Sequence, residues 1–164
     1  MANHGVCIPV KVAAMNIDAY NRSCYCASDV DNGNVIKLTG KETTAGQLET
    51  WTGVVPSTGN GLTGLWMVYE PEIVTVVSGS SKYKGLNDDP RNFYNIGGSI
   101  FSVFKPQLGD EVILTADALY GSANLYVNAT NTGGFELAWA ASNPGSILSL
   151  ELVATTYISL ATGG

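Results

Sequence analysis

No segment after Ala14 keeps a helical spacing of apolar residues for three turns, so the chain must build its core from something other than packed helices. What it offers instead is a series of short apolar runs between turn signals. The clearest is residues 101–119, FSVFKPQLGDEVILTADAL. Pro106 fixes its own φ and restricts Lys105 to extended geometry, and Gly109-Asp110 makes a turn of low steric cost before the run Glu111-Val112-Ile113-Leu114-Thr115. On one side residues 99–104 are apolar and aromatic; on the other, Leu125, Val127 and Ala129 alternate against Tyr126 and Asn128. This stretch is expected at the centre of the core. Roughly eight to ten such runs along the chain predict an all-β fold, a single-domain antiparallel sandwich or barrel with little helix.

The remaining runs follow the same logic. Residues 24–28 and 35–39 flank Asn32-Gly33, whose tolerance of positive φ predicts a tight hairpin. Residues 41–47 form a polar loop, 48–55 a strand closed by Pro56, and 57–61 a loop tip. The apolar runs 64–69 and 73–77 suit strands buried on both faces. Residues 78–98 form the longest irregular stretch, in which Asp89 as N-cap and Pro90 at the first position predict one helical turn. Residues 124–130, 135–142 and 147–160 are further strands, the last with a bulge near Ala154. Residues 1–20 are an N-terminal arm or a first strand, because Val6, Ile8 and Val10 alternate around Pro9, and residues 21–164 are the sandwich or barrel domain. The abrupt ending, Ala161-Thr162-Gly163-Gly164, leads us to expect a tail that has been removed.

Charged residues make up only 13% of the chain, about half the usual share, so the surface must be covered by uncharged polar groups or by other protein. That points to an assembly subunit. The net charge of −6, with no Lys or Arg beyond Lys105, argues against nucleic acid as a partner. No run approaches the roughly 18 apolar residues of a membrane span, and residues 1–20 carry no signal-peptide pattern, so we expect no membrane partner and a soluble product. Cys7, Cys24 and Cys26, an odd number, do not suggest a disulfide framework.

Catalytic and metal chemistry finds little purchase. The one histidine, His4, lies near the chain's start, which disfavours a nucleophile and histidine pair. His4, Cys7, Cys24 and Cys26 could supply four zinc ligands, but the spacing matches no zinc module. Around Asp29, Asp31 and Asn34, Gly33 falls fifth and Gly40 twelfth, unlike a calcium loop, and a turn explains the residues. Asp88, Asp89, Asp110 and Glu111 could form an acid–base pair, but turns and caps account for them. Trp51, Trp66 and Trp139 fall in expected strands and are assigned to the core rather than to a sugar platform. The expectation is a protein that is not an enzyme, with no cofactor and no metal.

Residues 65–71 (LWMVYEP), 88–95 (DDPRNFYN), 104–110 (FKPQLGD), 114–119 (LTADAL) and 155–159 (TTYIS) resemble small structural proteins encoded among the head genes of tailed bacteriophages. The chain is too short for a major capsid protein and lacks its long helix. The resemblance therefore implies a virion protein of the decoration or cement type, made in the host cytoplasm and bound to the capsid surface. Its partners would be the major capsid protein and copies of itself, in a homo-oligomer within the particle. Residues 1–12 and the loop 82–95 would supply the contacts, with Tyr83, Arg91, Phe93 and Tyr94 as anchors, since aromatic and Arg side chains dominate binding surfaces. An alternative of another class is a carbohydrate-binding β module of a phage tail or head fibre.

Overall fold

The structure, a computed structural model, describes residues 3–43, 49–57, 59, 61–78, 81–86, 89–129, 134–143 and 148–156, with 74–78 and 81–86 described by their backbone. The strands are β1 (Cys7–Lys11), β2 (Asn21–Tyr25), β3 (Val35–Lys41), β4 (Thr50–Val54), β5 (Trp66–Val68), β6 (Ile73–Ser78), β7 (Ser81–Leu86), β8 (Ile100–Phe104), β9 (Glu111–Leu114), β10 (Leu119–Tyr120), β11 (Tyr126–Ala129), β12 (Leu137–Ala140) and β13 (Ser149–Glu151). Helix is confined, among the described residues, to single 3₁₀ turns, so the fold is all-β.

Five strands close a barrel in the order β2-β4-β3-β5-β8, and β10-β12-β11-β13 form a second sheet. Most pairs are antiparallel; β2 with β4 and β10 with β12 are parallel. The alternation of side chains along a strand explains how the two layers share a core. Ile36, Val68 and Val103 join one cluster with Cys24, Cys26 and Phe101, while their neighbours Val35, Met67 and Phe104 join another with Val127, Ala129 and Leu137 of the second sheet. At Val35–Ile36, Met67–Val68 and Val103–Phe104 these strands are thus buried on both faces, as the apolar run 64–69 predicts for β5. The barrel is tight: a Cβ on Gly53 of β4 would collide with Ile36 Cδ1 and lie 2.5 Å from Cys24 Sγ.

Several expectations are corrected. The hairpin at Asn32-Gly33 does not form. Gly33 does turn, at φ +86°, but β2 pairs with β4 and β8 while β3 pairs with β4 and β5. The turn is tied elsewhere: Gly33 N–H donates to Val68 O at 2.9 Å, Val30 and Asn95 exchange backbone bonds of 2.9 Å, and Asn32 Nδ2 donates to Glu70 O at 2.9 Å. The expected loop 82–95 begins as a strand, because β7 pairs along its length with β6, from Ile73↔Leu86 to Ser78↔Ser81. Residues 73–77 form a strand as expected, β6, which among the described residues pairs with β7; Ile73 is exposed, and the burial of 74–77 lies outside the description. Of the central stretch β8 and Ala118 lie in the core, while β9 pairs with β1 in a two-stranded ribbon and packs only Val112 and Leu114 against it. Residues 152–156 are exposed and form no strand, and the bulges fall instead between Pro9 and Lys11 and between Leu38 and Gly40. Expected features at 44–48, 58, 60, 144–147 and 157–160 lie outside the described residues.

Candidate functional site

The turn at Pro90–Asn92 forms as its sequence dictates, with Asp89 Oδ1 accepting from Arg91 N–H at 3.0 Å. It does not present a cluster of anchors. The Arg91 guanidinium is engaged by Asp89 through Nε to Oδ1 at 3.0 Å and Nη2 to Oδ2 at 2.7 Å. That hydrogen-bonded cation holds the Asp89 carboxyl below its ordinary range and raises Arg91 in turn. Phe93 is buried at 8% exposure. Tyr94 stacks on His4 with ring centroids 4.6 Å apart. Tyr83 stands opposite Val76 in the β6–β7 ribbon, and its side chain lies outside the description.

What these residues build is a clamp on the start of the chain. His4 N–H donates to Arg91 O at 2.8 Å, and Asp31 takes His4 Nδ1 at 2.9 Å and Gly5 N–H at 2.8 Å. From there residues 7–11 run as β1 against β9, in the register Cys7↔Leu114 and Ile8↔Ile113. The four residues weighed as zinc ligands are separated: His4 faces Asp31, Cys7 sits in the cluster between the layers, and Cys24 and Cys26 sit in the barrel. Burial pushes the thiols of Cys7 and Cys24 up to about 12, so neither offers a ready thiolate. The turn carboxylates are engaged as well. Asp29 accepts from Gly97 N–H at 2.7 Å, and Asp110 from Ala13 N–H at 2.9 Å and Gln107 N–H at 2.8 Å. Glu111 lies 3.9 Å from Lys11, and Asp88 is outside the described residues.

Two surface features stand out among the described residues. The first is the β1–β9 ribbon. Cys7 and, in part, Val112 and Leu114 pack inward on the core, while Ile8, Val10 and Ile113 are 46%, 58% and 42% exposed. Val10 is the extra residue of the Pro9/Lys11 bulge, which Pro9 favours because it has no N–H to give the ladder. Val10 shares a shallow cleft with Met15 and the fully exposed Leu108. Apolar side chains thus gather from β1, from the turn after it and from the Gly109 turn before β9.

The second is an open cleft of about 650 Å³ on the barrel, lined by Trp51 of β4 with Asp18, Arg22, Ser23, Lys41 and Glu49. All three tryptophans are half-buried rather than enclosed in the core. Trp139 packs against the inter-layer cluster, and Trp66 packs against the barrel cluster with the Arg22 guanidinium 5.5 Å above its ring. Trp51 joins neither.

Of these exposed apolar side chains Ile8 and Val10 fall in the expected segment 1–12, whereas Met15, Leu108 and Ile113 were not singled out, and the place of Ile113 depends on β9 pairing with β1. Comparison with protein-family models, with curated proteins and with solved structures found no match.

Proposed function

We propose that this protein is a non-enzymatic structural subunit of a tailed-phage virion that docks on the outer surface of the capsid and cements it. The observation that carries the reading is the apolar outer face of the β1–β9 ribbon, on a chain whose surface is otherwise poor in charge. Water leaves such a face when a second protein covers it. Each Ile, Val, Leu or Met side chain buried there contributes about 1.5–3 kcal/mol. The gain from one copy is largely offset by the cost of association, so occupancy is sustained by repetition over a shell and by contacts between neighbouring copies. The natural counterpart is the major capsid protein at the joints between capsomers, where added buried area opposes the pressure of packaged DNA.

The resemblance of residues 65–71, 88–95 and 104–110 to phage head proteins supports this assignment. The contact surface is the ribbon with Met15 and Leu108. Arg91 and Tyr94 of the turn 89–95 hold His4, and Asp31 holds both His4 and Gly5, which anchors the chain just before the ribbon. The test is occupancy on purified capsids, measured by quantitative mass spectrometry as copies per major capsid protein. Wild-type protein is expected at a simple ratio, and Val10→Asp and Leu108→Asp are expected to lower occupancy at least ten-fold while the circular dichroism stays unchanged, about 1.4 kcal/mol or more. Full occupancy by both variants would remove the ribbon from the account.

A further inference from the structure

The Trp51 cleft has no role in that docking, and its chemistry is specific enough to name a ligand class. We propose that it binds a neutral oligosaccharide. Trp51 is the tryptophan that packs against neither core cluster among the described residues, yet it stands in a polar setting. An indole left half-exposed among hydroxyls and charges is suited to a partner with both an apolar face and a polar rim. A pyranose ring has both: its C–H face lies on an aromatic ring, and its hydroxyls each donate and accept.

The rim supplies matching groups. Asp18 and Glu49 accept and Lys41 donates, while the Arg22 guanidinium, which also lines the cleft, is held over Trp66 and donates to Asn21 O at 2.8 Å. The two carboxylates balance the two cations, and Lys41 Nζ already lies 3.4 Å from Glu49 Oε2. A cleft without net charge selects against phosphate or uronate ligands, which need a cationic excess. Its polar rim selects against an apolar peptide. The volume of about 650 Å³ lies within the range of small-ligand sites and accommodates a short oligosaccharide rather than a single small ion.

The strands explain why the site is preformed. Lys41 and Trp51 are register partners across β3–β4, so the barrel wall sets their two side chains on the same face. The site and the ribbon use different residues, so either reading can fail without the other.

The experiment is saturation-transfer NMR on the full chain with maltotriose, cellotriose, tri-N-acetylchitotriose and, as a charged control, trigalacturonate. Transfer to at least one neutral trisaccharide is expected. It should vanish in Trp51→Ala and persist in Val10→Asp. Asp18→Asn, an exposed change that leaves the fold intact, should weaken affinity about five-fold, the worth of one hydrogen bond, and keeps the test sound if Trp51→Ala does not fold. No transfer from any neutral trisaccharide at millimolar concentration, transfer to trigalacturonate alone, or transfer indifferent to both Trp51→Ala and Asp18→Asn would each overturn the proposal.

Discussion

Phe93 shows how little a residue's type says about its side of the surface. An aromatic next to Arg and Tyr in a polar turn has the composition of a binding anchor, but this one is buried at 8% exposure beneath the clamp that holds His4. Truncating it removes a buried aromatic ring. Phe93→Ala is expected to destabilise the protein by about 3 kcal/mol in urea unfolding, with the denaturant slope unchanged. A loss below about 0.5 kcal/mol, the scale of surface substitutions, would return Phe93 to the surface. Asp89 and Arg91 were legible in part: the cap and the Pro90 turn follow from local rules, whereas the pairing of the guanidinium with its own cap residue depends on a side-chain conformation that spacing does not specify. Trp51 and Trp66 carry the same lesson. Both stand in strands, and only the tertiary neighbours decide that Arg22 covers one ring and a polar cleft borders the other.

Among elements, the turn 31–34 decides the topology. Asn-Gly supplies the positive φ it promises, but a hairpin also needs its two arms to be each other's best partners, and here parallel β4 lies between β2 and β3. The buried Asn32 amide enforces that arrangement by closing two bonds on the Glu70 backbone, Nδ2 to O at 2.9 Å and N–H to Oδ1 at 3.0 Å, with Asn95 Nδ2 at 3.3 Å from the same oxygen. Removing the amide leaves partners in a largely water-free site. Asn32→Ala should therefore cost about 2 kcal/mol, whereas a hairpin turn of purely local character would lose only tenths. Equilibrium unfolding of this variant distinguishes the two. The β1–β9 ribbon is likewise an element-scale product: alternation marks β1, but the apolar outer face exists only because Ile113 comes to stand opposite Ile8.

For the molecule as a whole, the two cores share one vulnerability, since each contains cysteine held away from water. Burial raises Cys7 and Cys24 from 9.0 to about 12 and raises Cys26 as well. The folded state then keeps protons that the unfolded chain releases, so stability is full below about pH 9.0 and is lost as pH rises from there towards about 12. Each such thiol steepens the fall by up to about 1.4 kcal/mol per pH unit. Urea unfolding at pH 7, 9 and 10.5 should show the decline, and a Cys7→Ala, Cys24→Ala double variant should show a shallower one; equal slopes would mean that the thiols are not the cause.

The sequence by itself determined that the fold is all-β, where most strands lie and that the Asp89-Pro90 turn forms, because these follow from dihedral preference and from periodicity over a few residues. Only the tertiary structure decided which strands pair, that a barrel closes beneath a second sheet, and which apolar side chains remain outside. Those outcomes depend on contacts between residues far apart in the chain: Val35 and Ile36 are neighbours with the same local preference, and they are sent into different cores by partners that no short window contains.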